Sequence, residues 1–542
     1  MQAKKVLIVG GGSAGWMAAA YLNAALNRPD KNKRAEIILV ESPDIPRISV
    51  GEATIPNIRH ILSVIGIDEI DFMKATNATF KQSIKYVNWL ENDGSAYHHP
   101  FSRHSVFPID NSGRDWAASD RSIPFTETVS IQPQMCDAGY APKMLGEWDF
   151  GQPLSYAYHM NAQKFADYLR DLSTKQGVTH KLANVVDVDV KEDGNIEAVI
   201  TKDGERLEAD LFIDCTGFAA ILIEKTLGIG FEDCSRWLLC DRAVTMHVPY
   251  EDYYWGNVRP YTTATALSTG WVWDIPLSNL RSVGYVHSSK YIDKDDAEKE
   301  LRKYEPHAKN SNARFIDFKV GRRKQAWAAN CIAIGLSGGF IEPLESTGLY
   351  LSDLAAVMLA EHFPDGDDWE PLRMRFNRIM SNRFYEILDF INMHYCLTRR
   401  HDTEFWREVG KAERVVPRLQ AKFDFWKYKP PSAIDFEDQC FIGQSTASLA
   451  ADLHGGDPRM PVDTAGLWGF ESYETILYGM DFMGDYYRKL YGEKLPETIV
   501  PGHVMARLRA VPGKFPSHEE WLRRMVDMKN YDKLTSQNVV WT

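Results

Sequence analysis

The chain has 542 residues, of which 44% are hydrophobic and 25% are charged, so its composition is that of a globular protein and excludes a disordered or fibrous one. Its 74 acidic and 62 basic side chains give a net charge of −12, which argues against nucleic acid as a partner. The longest uncharged apolar run, around residues 331–341, is too short for a bilayer, so we expect no membrane contact.

The cysteines indicate the compartment. There are seven of them, they are scattered, and none forms a CxxC pair. This pattern is typical of a reducing environment, and because the first residues run straight into an apolar strand without a signal peptide, we expect a cytoplasmic protein. The sequence has no HExxH motif and no Cys/His cluster, so we expect no metal.

The chain opens with a strand, a glycine loop, a helix and a second strand. Residues 6–9 predict a buried strand, residues 35–40 predict another, and Glu41 ends the second. The loop between the first strand and the helix contains Gly10, Gly12, Ser13, Ala14 and Gly15. Glycines at this spacing let a backbone approach a pyrophosphate at a helix N-terminus, and Glu41 can accept hydrogen bonds from a ribose. The pattern predicts a dinucleotide site; the alternative is a glycine turn that serves packing alone.

Further along, the regular alternation of strands and helices is lost. Residues 208–214 and 331–335 predict buried strands that rejoin the first sheet. The stretches 82–155 and 226–325 are rich in aromatic residues and proline, and predict a second, largely β part that faces a substrate. From residue 366 the apolar spacing becomes helical, most clearly over residues 369–393. We find a single glycine loop of the GxGxxG type. An enzyme that passes hydride from a nicotinamide to a flavin often carries two such folds, so we expect reducing equivalents to arrive from outside the protein.

Several motifs occur together in one order over residues 1 to about 410. They are Gly51–Pro56 (GEATIP), Phe80-Lys81, Ile84–Trp89 (IKYVNW), Asp214–Gly217 (DCTG), Trp271–Pro276 (WVWDIP), Glu342–Gly348 (EPLESTG), His394-Tyr395 and Arg400–Trp406 (RHDTEFW). Together with the glycine loop, this set resembles the flavin-dependent halogenases of the tryptophan halogenase family. The WxWxIP string is the most specific motif, because it separates these halogenases from related flavin monooxygenases.

The resemblance implies an α/β fold: an FAD-binding Rossmann-like core of the GR2-type flavin monooxygenase class, a mixed β substrate part and a helical C-terminal region. FAD binding is then expected mainly in residues 1–81, 156–225 and 326–365. The substrate-facing part is expected in residues 82–155 and 226–325, and the helical region that covers the substrate site in residues 366–542. The FAD-binding residues implied outside the glycine loop are Glu41, Ala53, Val185, Leu336 and Leu349.

The WxWxIP string places Trp271, Trp273 and Ile275 on one face of a strand by simple alternation, and Pro276 follows. On its own, such a strip is more often part of an aromatic core. In the resembling family it forms the wall and tunnel between the flavin and the substrate. Bulky apolar rings there would keep an oxygen-activated flavin from hydroxylating an aromatic substrate, while a small oxidised halogen species passes.

Lys81 follows the apolar Phe80 in a segment where partial burial is plausible, although most lysines are solvated surface charges. The resemblance makes it the catalytic lysine that receives hypohalous acid. Its ammonium could hydrogen-bond the hypohalous oxygen, or its neutral amine could form a chloramine, a route that burial would favour. The sequence leaves both routes open.

The segment Pro343–Gly348 precedes an apolar helix that is predicted to start near Leu349. A glutamate there often serves only the helix N-terminus. The resemblance instead implies that Glu345 polarises the electrophile and takes the ring proton. Ser346 would position Glu345, and Thr347 and Gly348 would bind chloride or bromide through backbone N–H groups.

The resemblance also implies that His99 and Phe101 line an aromatic substrate pocket; a structural role for His99 is the alternative. Tryptophan-specific members carry a Tyr-Tyr pair, a Glu and a Phe-Trp pair in the C-terminal region. We do not find that constellation here: Phe425-Trp426 lacks the preceding pair, and residues 436–441 are no obvious substitute. Free tryptophan is therefore in doubt, and indoles, other electron-rich arenes and carrier- or peptide-bound aromatics stay open.

We therefore expect a two-component FAD-dependent halogenase that is served by a separate NAD(P)H-dependent flavin reductase and that acts on a small, indole-like aromatic substrate. A homodimer is left open. The alternative on the same scaffold is an aromatic hydroxylase, which the WxWxIP wall disfavours. A protein that uses this fold only to bind a partner is disfavoured by the intact glycine loop and Glu41.

Overall fold

A computed structural model of the chain describes residues 3–27, 34–47, 50–102, 112–151, 153–250, 258–432, 435, 467–482 and 495–527. They group into two units. The first unit comprises Met1–Asn77, Met160–Ser235 and Phe318–Phe384, and the second comprises Ala78–His159, Arg236–Asp317 and Tyr385–Thr542. Each unit is thus assembled from three separate stretches of chain.

The strands in these residues are β1 (Lys5–Val9), β2 (Glu36–Glu41), β3 (Gly51–Ala53), β4 (Thr79–Lys81), β5 (Ser83–Val87), β6 (Ala96–Pro100), β7 (Ala157–Asn161), β8 (Thr179–Leu182), β9 (Val185–Val190), β10 (Ile196–Thr201), β11 (Arg206–Glu208), β12 (Leu211–Asp214), β13 (Phe231–Asp233), β14 (Arg242–Pro249), β15 (Thr262–Ala266), β16 (Gly270–Pro276), β17 (Leu280–His287), β18 (Arg314–Asp317), β19 (Gly321–Arg323), β20 (Trp327–Ala328), β21 (Cys331–Ala333) and β22 (Gly339–Phe340).

The α-helices are α1 (Ser13–Leu26), α2 (Ile58–Ile65), α3 (Glu69–Thr76), α4 (Ser112–Ala117), α5 (Phe125–Val129), α6 (Gln132–Asp137), α7 (Ala162–Lys175), α8 (Lys294–Tyr304), α9 (Gly348–Glu361), α10 (Glu370–Cys396), α11 (Glu404–Val409), α12 (Pro417–Trp426), α13 (Phe470–Gly479), α14 (Gly502–Lys514) and α15 (His518–Asp527). Short helical turns occur at Gly217–Ala219, Ile221–Thr226, Pro306–Asn310, Gly335–Ser337 and Ala412–Arg414.

The first unit is built on a six-stranded sheet with the strand order β20-β21-β12-β1-β2-β8. β1 lies parallel to both β2 and β12, and β12 lies parallel to β21. The buried apolar runs of these strands are typical of a parallel sheet that helices cover on its faces. The predicted βαβ opening and the return of the later strands to its sheet are therefore confirmed, and so is the Rossmann-like fold class.

Two sequence predictions need correction in detail. The segment 208–214 is not one strand: β11 ends at Glu208, and β12 begins at Leu211 in a different sheet. Between them the Asp210 carboxylate accepts hydrogen bonds from the backbone N–H groups of Lys4 and Lys5, which fixes a turn there. The stretch 82–155 is not largely β either, since after β5 and β6 it forms the short helices α4, α5 and α6.

The second unit contains a seven-stranded sheet with the strand order β18-β14-β17-β16-β15-β5-β6. β16, which carries the WxWxIP string, pairs antiparallel with β15 and with β17, so it lies inside the sheet. All of its residues are buried. On one face Val272 packs with Val283 and with Leu301 of α8, which leaves the tryptophans of β16 on the other face.

The predicted helical character of the C-terminal region holds in its described part. α10 begins one residue after the start of the predicted segment 369–393 and continues three residues past its end, and α11 to α15 follow. Within the residue ranges given above, no helix combines the length and the hydrophobicity that crossing a membrane requires.

Candidate active site

The glycine loop of the first unit leaves no room for a side chain at Gly10, Gly11 or Gly15. A Cβ at Gly15 would lie 1.9 Å from the Gly10 carbonyl oxygen, and one at Gly11 would lie 1.6 Å from Glu41 Oε2. Gly10 itself has a φ of +116°, a backbone conformation that residues other than glycine rarely adopt. Gly12 caps α1 without any side-chain hydrogen bond, so the first N–H groups of the helix are not occupied by a capping side chain. This cradle fits the pyrophosphate of a dinucleotide.

Glu41 ends β2, as the sequence predicts, but it does not stand alone. Its carboxylate accepts from Arg47 Nη2 at 2.8 and 3.1 Å and shares a 2.9 Å hydrogen bond with His180 Nε2. A carboxylate offers about four acceptor positions, so these three bonds leave capacity for one ribose hydroxyl. Arg47 and His180 are neighbours of this site that the sequence pattern did not indicate.

Asp214 of the DCTG motif has a structural role, because its carboxylate accepts hydrogen bonds from the turn that follows β12. Its Oδ1 accepts from the Thr216 backbone N–H and hydroxyl, and its Oδ2 accepts from the N–H groups of Leu222 and Ile223 at the next helical turn. The Ser337 hydroxyl donates to the Asp214 carbonyl. Asp214 therefore fixes the end of β12 and the turn at Gly335–Ser337.

The remaining residues of the predicted FAD site lie at ends and turns of the first unit. A Cβ at Gly335 would lie 2.8 Å from the Ala14 Cβ, so the turn that carries Leu336 packs on the glycine loop. Ala53 ends β3, Val185 begins β9, and Leu349 is the second residue of α9. The FAD-binding roles of these residues stay predictions.

The segment 345–348 forms a strained turn into α9. Glu345 and Thr347 are almost fully buried, and α9 begins at Gly348, one residue before the predicted start. Ser346 has a φ of +59°, a left-handed conformation that costs a non-glycine residue on the order of 1 kcal/mol. Thr347 follows in a right-handed conformation and caps α9 without a side-chain hydrogen bond. Alternating left- and right-handed residues turn successive N–H groups toward one point, which is the geometry of an anion-binding nest. The Ser346 N–H itself donates to the Pro343 carbonyl at 3.0 Å, so this geometry leaves the N–H groups of Thr347 and Gly348 for an anion.

Lys81 ends β4 in the second unit and is completely buried. Its Nζ lies 5.0 Å from the ring centroid of Phe101, a distance at which a cation and an aromatic face attract. The Phe101 backbone N–H donates to the Gln82 carbonyl at 3.0 Å, and Ile84 is paired with His99 across β5 and β6. The structure thus brings Lys81 and Phe101, which are separate in the sequence, together, and His99 of β6 lies two residues before Phe101.

The strand of Lys81 is joined to the WxWxIP strand through Thr79. The Thr79 hydroxyl lies 2.6 Å from the Pro276 carbonyl and 3.0 Å from His159 Nδ1. Its single proton must go to the carbonyl, which can only accept, so His159 Nδ1 carries a proton and donates to Thr79. His159 Nε2 then accepts from the Thr262 hydroxyl at 2.8 Å. Burial, together with the charge of Lys81, holds the pKa of His159 well below its usual range, so this neighbour of Lys81 is neutral.

The two tryptophans of β16 are buried side by side, with ring centroids 6.4 Å apart, and Ile275 is buried beyond them. Trp89 lies 6.4 Å from Trp271 and extends the aromatic layer. Trp273 lies over Gly284 of β17, where a Cβ would be 2.1 Å from the indole Cζ2. Gly284 therefore makes the space that the indole of Trp273 occupies.

Asp274 anchors the same strand from its other face. It is 2% exposed and contacts Arg259 Nη2 at 2.6 Å and Arg281 Nη2 at 2.5 Å; Arg281 also contacts Glu305 at 2.7 Å. Burial alone would raise the pKa of Asp274, but the two arginine charges outweigh it and hold that pKa below its usual value. β16 is thus held by a buried charge network.

A second aromatic group lies beside His99. His99 Nε2 shares a 3.0 Å hydrogen bond with the Ser472 hydroxyl, and its ring is 5.7 Å from Phe390. Trp468 stacks on Phe390 at 4.0 Å with the rings 11° apart, and Tyr473 packs edge-on at 4.9 Å. Trp468 was not predicted from the sequence. The only signal that could have indicated it is the density of aromatic residues over 468–473. The substitute segment considered at 436–441 lies outside the described residues.

The site residues divide between the two units. The glycine loop, Glu41 and the segment 345–348 belong to the first unit, whereas Lys81, the WxWxIP strand and His99 belong to the second. In the part of the chain that the structure describes, no three His, Cys, Asp or Glu side chains are grouped in a way that could hold a metal ion.

Comparisons with known proteins identify the family of the chain. A sequence model of the family described as tryptophan halogenase matches residues 5–495. The chain is 36% identical over 545 residues to tryptophan 7-halogenase RebH of Lentzea aerocolonigenes, covering 96% of this chain and 98% of that protein. It superposes on the crystal structure of the tryptophan halogenase from Shewanella frigidimarina with a TM-score of 0.85 and 31% identity, covering 97% and 98% of the two chains. The structure of Tar14, a tryptophan C-6 flavin-dependent halogenase, gives a TM-score of 0.80 and 32% identity, covering 96% and 100%. The chain therefore belongs to the tryptophan halogenase family, whose members are flavin-dependent halogenases.

Proposed function

We propose that the protein is a two-component halogenase that takes FADH2 from a separate NAD(P)H-dependent flavin reductase. With O2 and chloride or bromide it forms hypohalous acid, which halogenates an electron-rich aromatic compound. The observation that carries this proposal is the complete burial of Lys81 next to Phe101, on a strand that is hydrogen-bonded to the end of the WxWxIP strand. A solvated surface lysine would have none of these features.

The glycine loop, Glu41 and the turn at Leu336 would hold the FAD. When bound, the reduced flavin supplies the two electrons with which O2 oxidises a halide to hypohalous acid. The chain contributes N–H groups for the pyrophosphate at the start of α1 and an acceptor for the ribose at Glu41. Ala53, Val185 and Leu349 would add contacts to the cofactor.

The backbone N–H groups of Thr347 and Gly348 would hold the halide. The left-handed Ser346 followed by the right-handed Thr347 supports an anion nest, and the start of α9 at Gly348 adds the positive end of a helix dipole. No side chain from the cap residue competes with the anion for these N–H groups. The strain at Ser346 is consistent with a conformation that is kept for binding.

Lys81 would receive the hypohalous acid, either by donating a hydrogen bond from its ammonium to the hypohalous oxygen or by forming a chloramine with loss of water. In the substitution step the new carbon–halogen bond forms as the bond between oxygen or nitrogen and the halogen breaks. The ring then loses its proton to a base, a role that we assign to Glu345. The neutral state of His159 removes one cation from the neighbourhood of Lys81.

The substrate would be a small aromatic compound that binds near His99 and Phe101. The stacked pair Phe390 and Trp468 supports an aromatic ligand of the size of an indole, since aromatic faces prefer offset or edge-on aromatic partners. The relatives described above act on tryptophan by name, which supports an indole ring in the substrate. We propose an indole-type or similarly electron-rich arene as the substrate. The proposal does not require this arene to carry the amino and carboxylate groups of tryptophan. The reaction would take place in the cytoplasm.

The test is mass spectrometry of a panel of indoles and phenols that are incubated with the protein, FAD, a flavin reductase and bromide or chloride. We expect products that carry a halogen isotope pattern and whose formation requires the reductase. A product with a single added oxygen would instead support the aromatic hydroxylase. Turnover with NADH alone, without any reductase, would contradict the proposal that a separate reductase supplies FADH2.

The wall function of the WxWxIP strand can be tested at Gly284 without changing the strand itself. Gly284→Ala forces the Trp273 indole to move, because the added Cβ would lie 2.1 Å from it. We expect the halogenated product per flavin reoxidised to fall by up to about a hundredfold, the cost of a group misplaced by about 1 Å in an ordered site. Trp fluorescence should change as well. Gly502→Ala, where nothing lies within 4 Å of the new Cβ, is the control and should behave like the unchanged protein.

Glu345→Gln keeps the size of the side chain and removes its basicity. We expect the rate of halogenation to fall by about 10² to 10⁴, the usual contribution of a general base, with little change in flavin reoxidation. Single-turnover product formation measures the effect. A rate close to that of the unchanged protein would assign the glutamate to the structure of the turn.

A further inference from the structure

The strand that carries Lys81 is short and lies at the edge of its sheet. β4 has three residues and pairs with β7 along one side only. On its other side, the backbone N–H of Phe80 donates to Nε2 of His518 at 3.1 Å. His518 is the first residue of α15 and lies 438 residues further along the chain. The residue directly before Lys81 is therefore held by a side chain from the C-terminal region.

The hydrogen bonds of His518 determine its tautomer. The Phe80 N–H can only donate, so Nε2 carries a lone pair; the Val258 carbonyl, 2.7 Å from Nδ1, can only accept, so Nδ1 carries the proton. Burial lowers the pKa of His518 to about 4, so the imidazole is neutral near pH 7. One neutral ring thus links two segments of the second unit that are far apart in sequence.

The segment that carries His518 is itself anchored. The His518 backbone N–H donates to the Gly139 carbonyl at 2.7 Å, and the Ala141 N–H donates to the Pro516 carbonyl at 3.0 Å. The same region holds the residue after Lys81, because the Gln82 side-chain amide donates to the Tyr140 carbonyl at 2.7 Å. Both neighbours of Lys81 in the chain are therefore fixed to one framework.

The ring of Phe80 is held on the face of β4 opposite to Lys81. Trp521 of α15 packs edge-on at 4.6 Å and Tyr156 at 5.0 Å. The ammonium of the buried Lys143 lies 5.9 Å from the Phe80 ring and 5.7 Å from Trp521. This packing resists rotation of the strand about its own axis.

We propose that His518 is a positioning residue for Lys81, with Trp521 as its support, and that together they set the direction in which the Lys81 ammonium points. The proposal rests on the proposed function, in which Lys81 receives hypohalous acid. An extended lysine carries its Nζ about 6 Å from Cα, so a tilt of the strand by about 10° moves the nitrogen by about 1 Å. A displacement of that size costs about a hundredfold in an ordered active site.

The test compares His518→Leu with His518→Gln. Leucine removes both hydrogen bonds, whereas glutamine can again accept from the Phe80 N–H. For the leucine variant we expect normal flavin reoxidation, a loss of halogenated product of at least about tenfold and a matching rise in free hypohalous acid, trapped with a thiol. The value of kcat should fall while KM changes little, and the glutamine variant should recover most of the product yield.

Two results with a folded variant would overturn the proposal: full product yield in His518→Leu, or a parallel fall of product and of trapped hypohalous acid, which would place the defect before the step at Lys81. If the leucine variant is not folded, Trp521→Ala against Trp521→Phe gives the same comparison, with release of hypohalous acid expected only for the alanine. The unchanged protein and Lys81→Ala are assayed alongside. Absence of halogenation in the unchanged protein would disprove the proposed function and not the role of His518.

Discussion

Lys81→Ala is expected to abolish halogenation while the flavin is still reoxidised by O2. The side chain is fully buried near Phe101, and no other residue of β4 can present an amine at that point. We expect product formation to fall by at least about a hundredfold, and the hypohalous acid that is formed to appear in solution instead. Product by mass spectrometry and flavin oxidation by absorbance, measured in one reaction, give the ratio.

The matched control for this change is Lys85→Ala. Lys85 lies on the next strand, β5, and pairs with the partly exposed Asp137 at 2.6 Å. Its loss should leave the product per flavin unchanged. If Lys81→Ala still halogenates at a comparable rate, the lysine has no part in the chemistry, and the burial of its side chain serves the fold alone.

Asp274→Asn is expected to have the largest effect on stability. The change removes the carboxylate that Arg259 and Arg281 both contact, in a region where Asp274 is 2% exposed. Removing one partner of a buried ion pair costs about 3–5 kcal/mol, because the remaining charge is desolvated without compensation. Urea unfolding followed by far-ultraviolet circular dichroism measures the loss.

The control for Asp274 is Asp424→Asn, which removes an ion pair with Lys427 in which both side chains are more than half exposed. Exposed pairs of this kind contribute little, so we expect no measurable change in the unfolding midpoint. An equally small effect at Asp274 would mean that the two arginines find other partners and that the network does not anchor the WxWxIP strand.

Local patterns in the sequence predicted the parts of the fold that are local in the structure. The opening βαβ unit is continuous in the chain, so its periodicity, its glycines and Glu41 could be interpreted together. The helix over residues 369–393 was predicted for the same reason, since nine apolar positions repeat along one segment. The break of the segment 208–214 into two strands was not predicted, because it depends on Asp210 binding the N–H groups of Lys4 and Lys5.

The candidate site was predicted in part, and the missing part depends on contacts between distant segments. Lys81 was identified by resemblance to a family, but three residues of strand carry too little pattern to predict complete burial. The neutral state of His159 follows from its burial and from the charge of Lys81, and its tautomer follows from contacts with Thr79 and Thr262 on two other strands. Trp468 has no periodic neighbours that would mark it, and its role emerges only where it stacks on Phe390.

The link between Phe80 and His518 also determines when the lysine site can be completed during synthesis. At about 5–20 residues per second, the 438 residues between them take roughly 20–90 s to be translated. Throughout that interval the edge of β4 has no histidine to pair with, and the ring of Phe80 lacks Trp521. A polypeptide that terminates before residue 518 would contain every stretch of the first unit, and with it the glycine loop. Under the proposed function, we expect such a polypeptide to release hypohalous acid without halogenating a substrate.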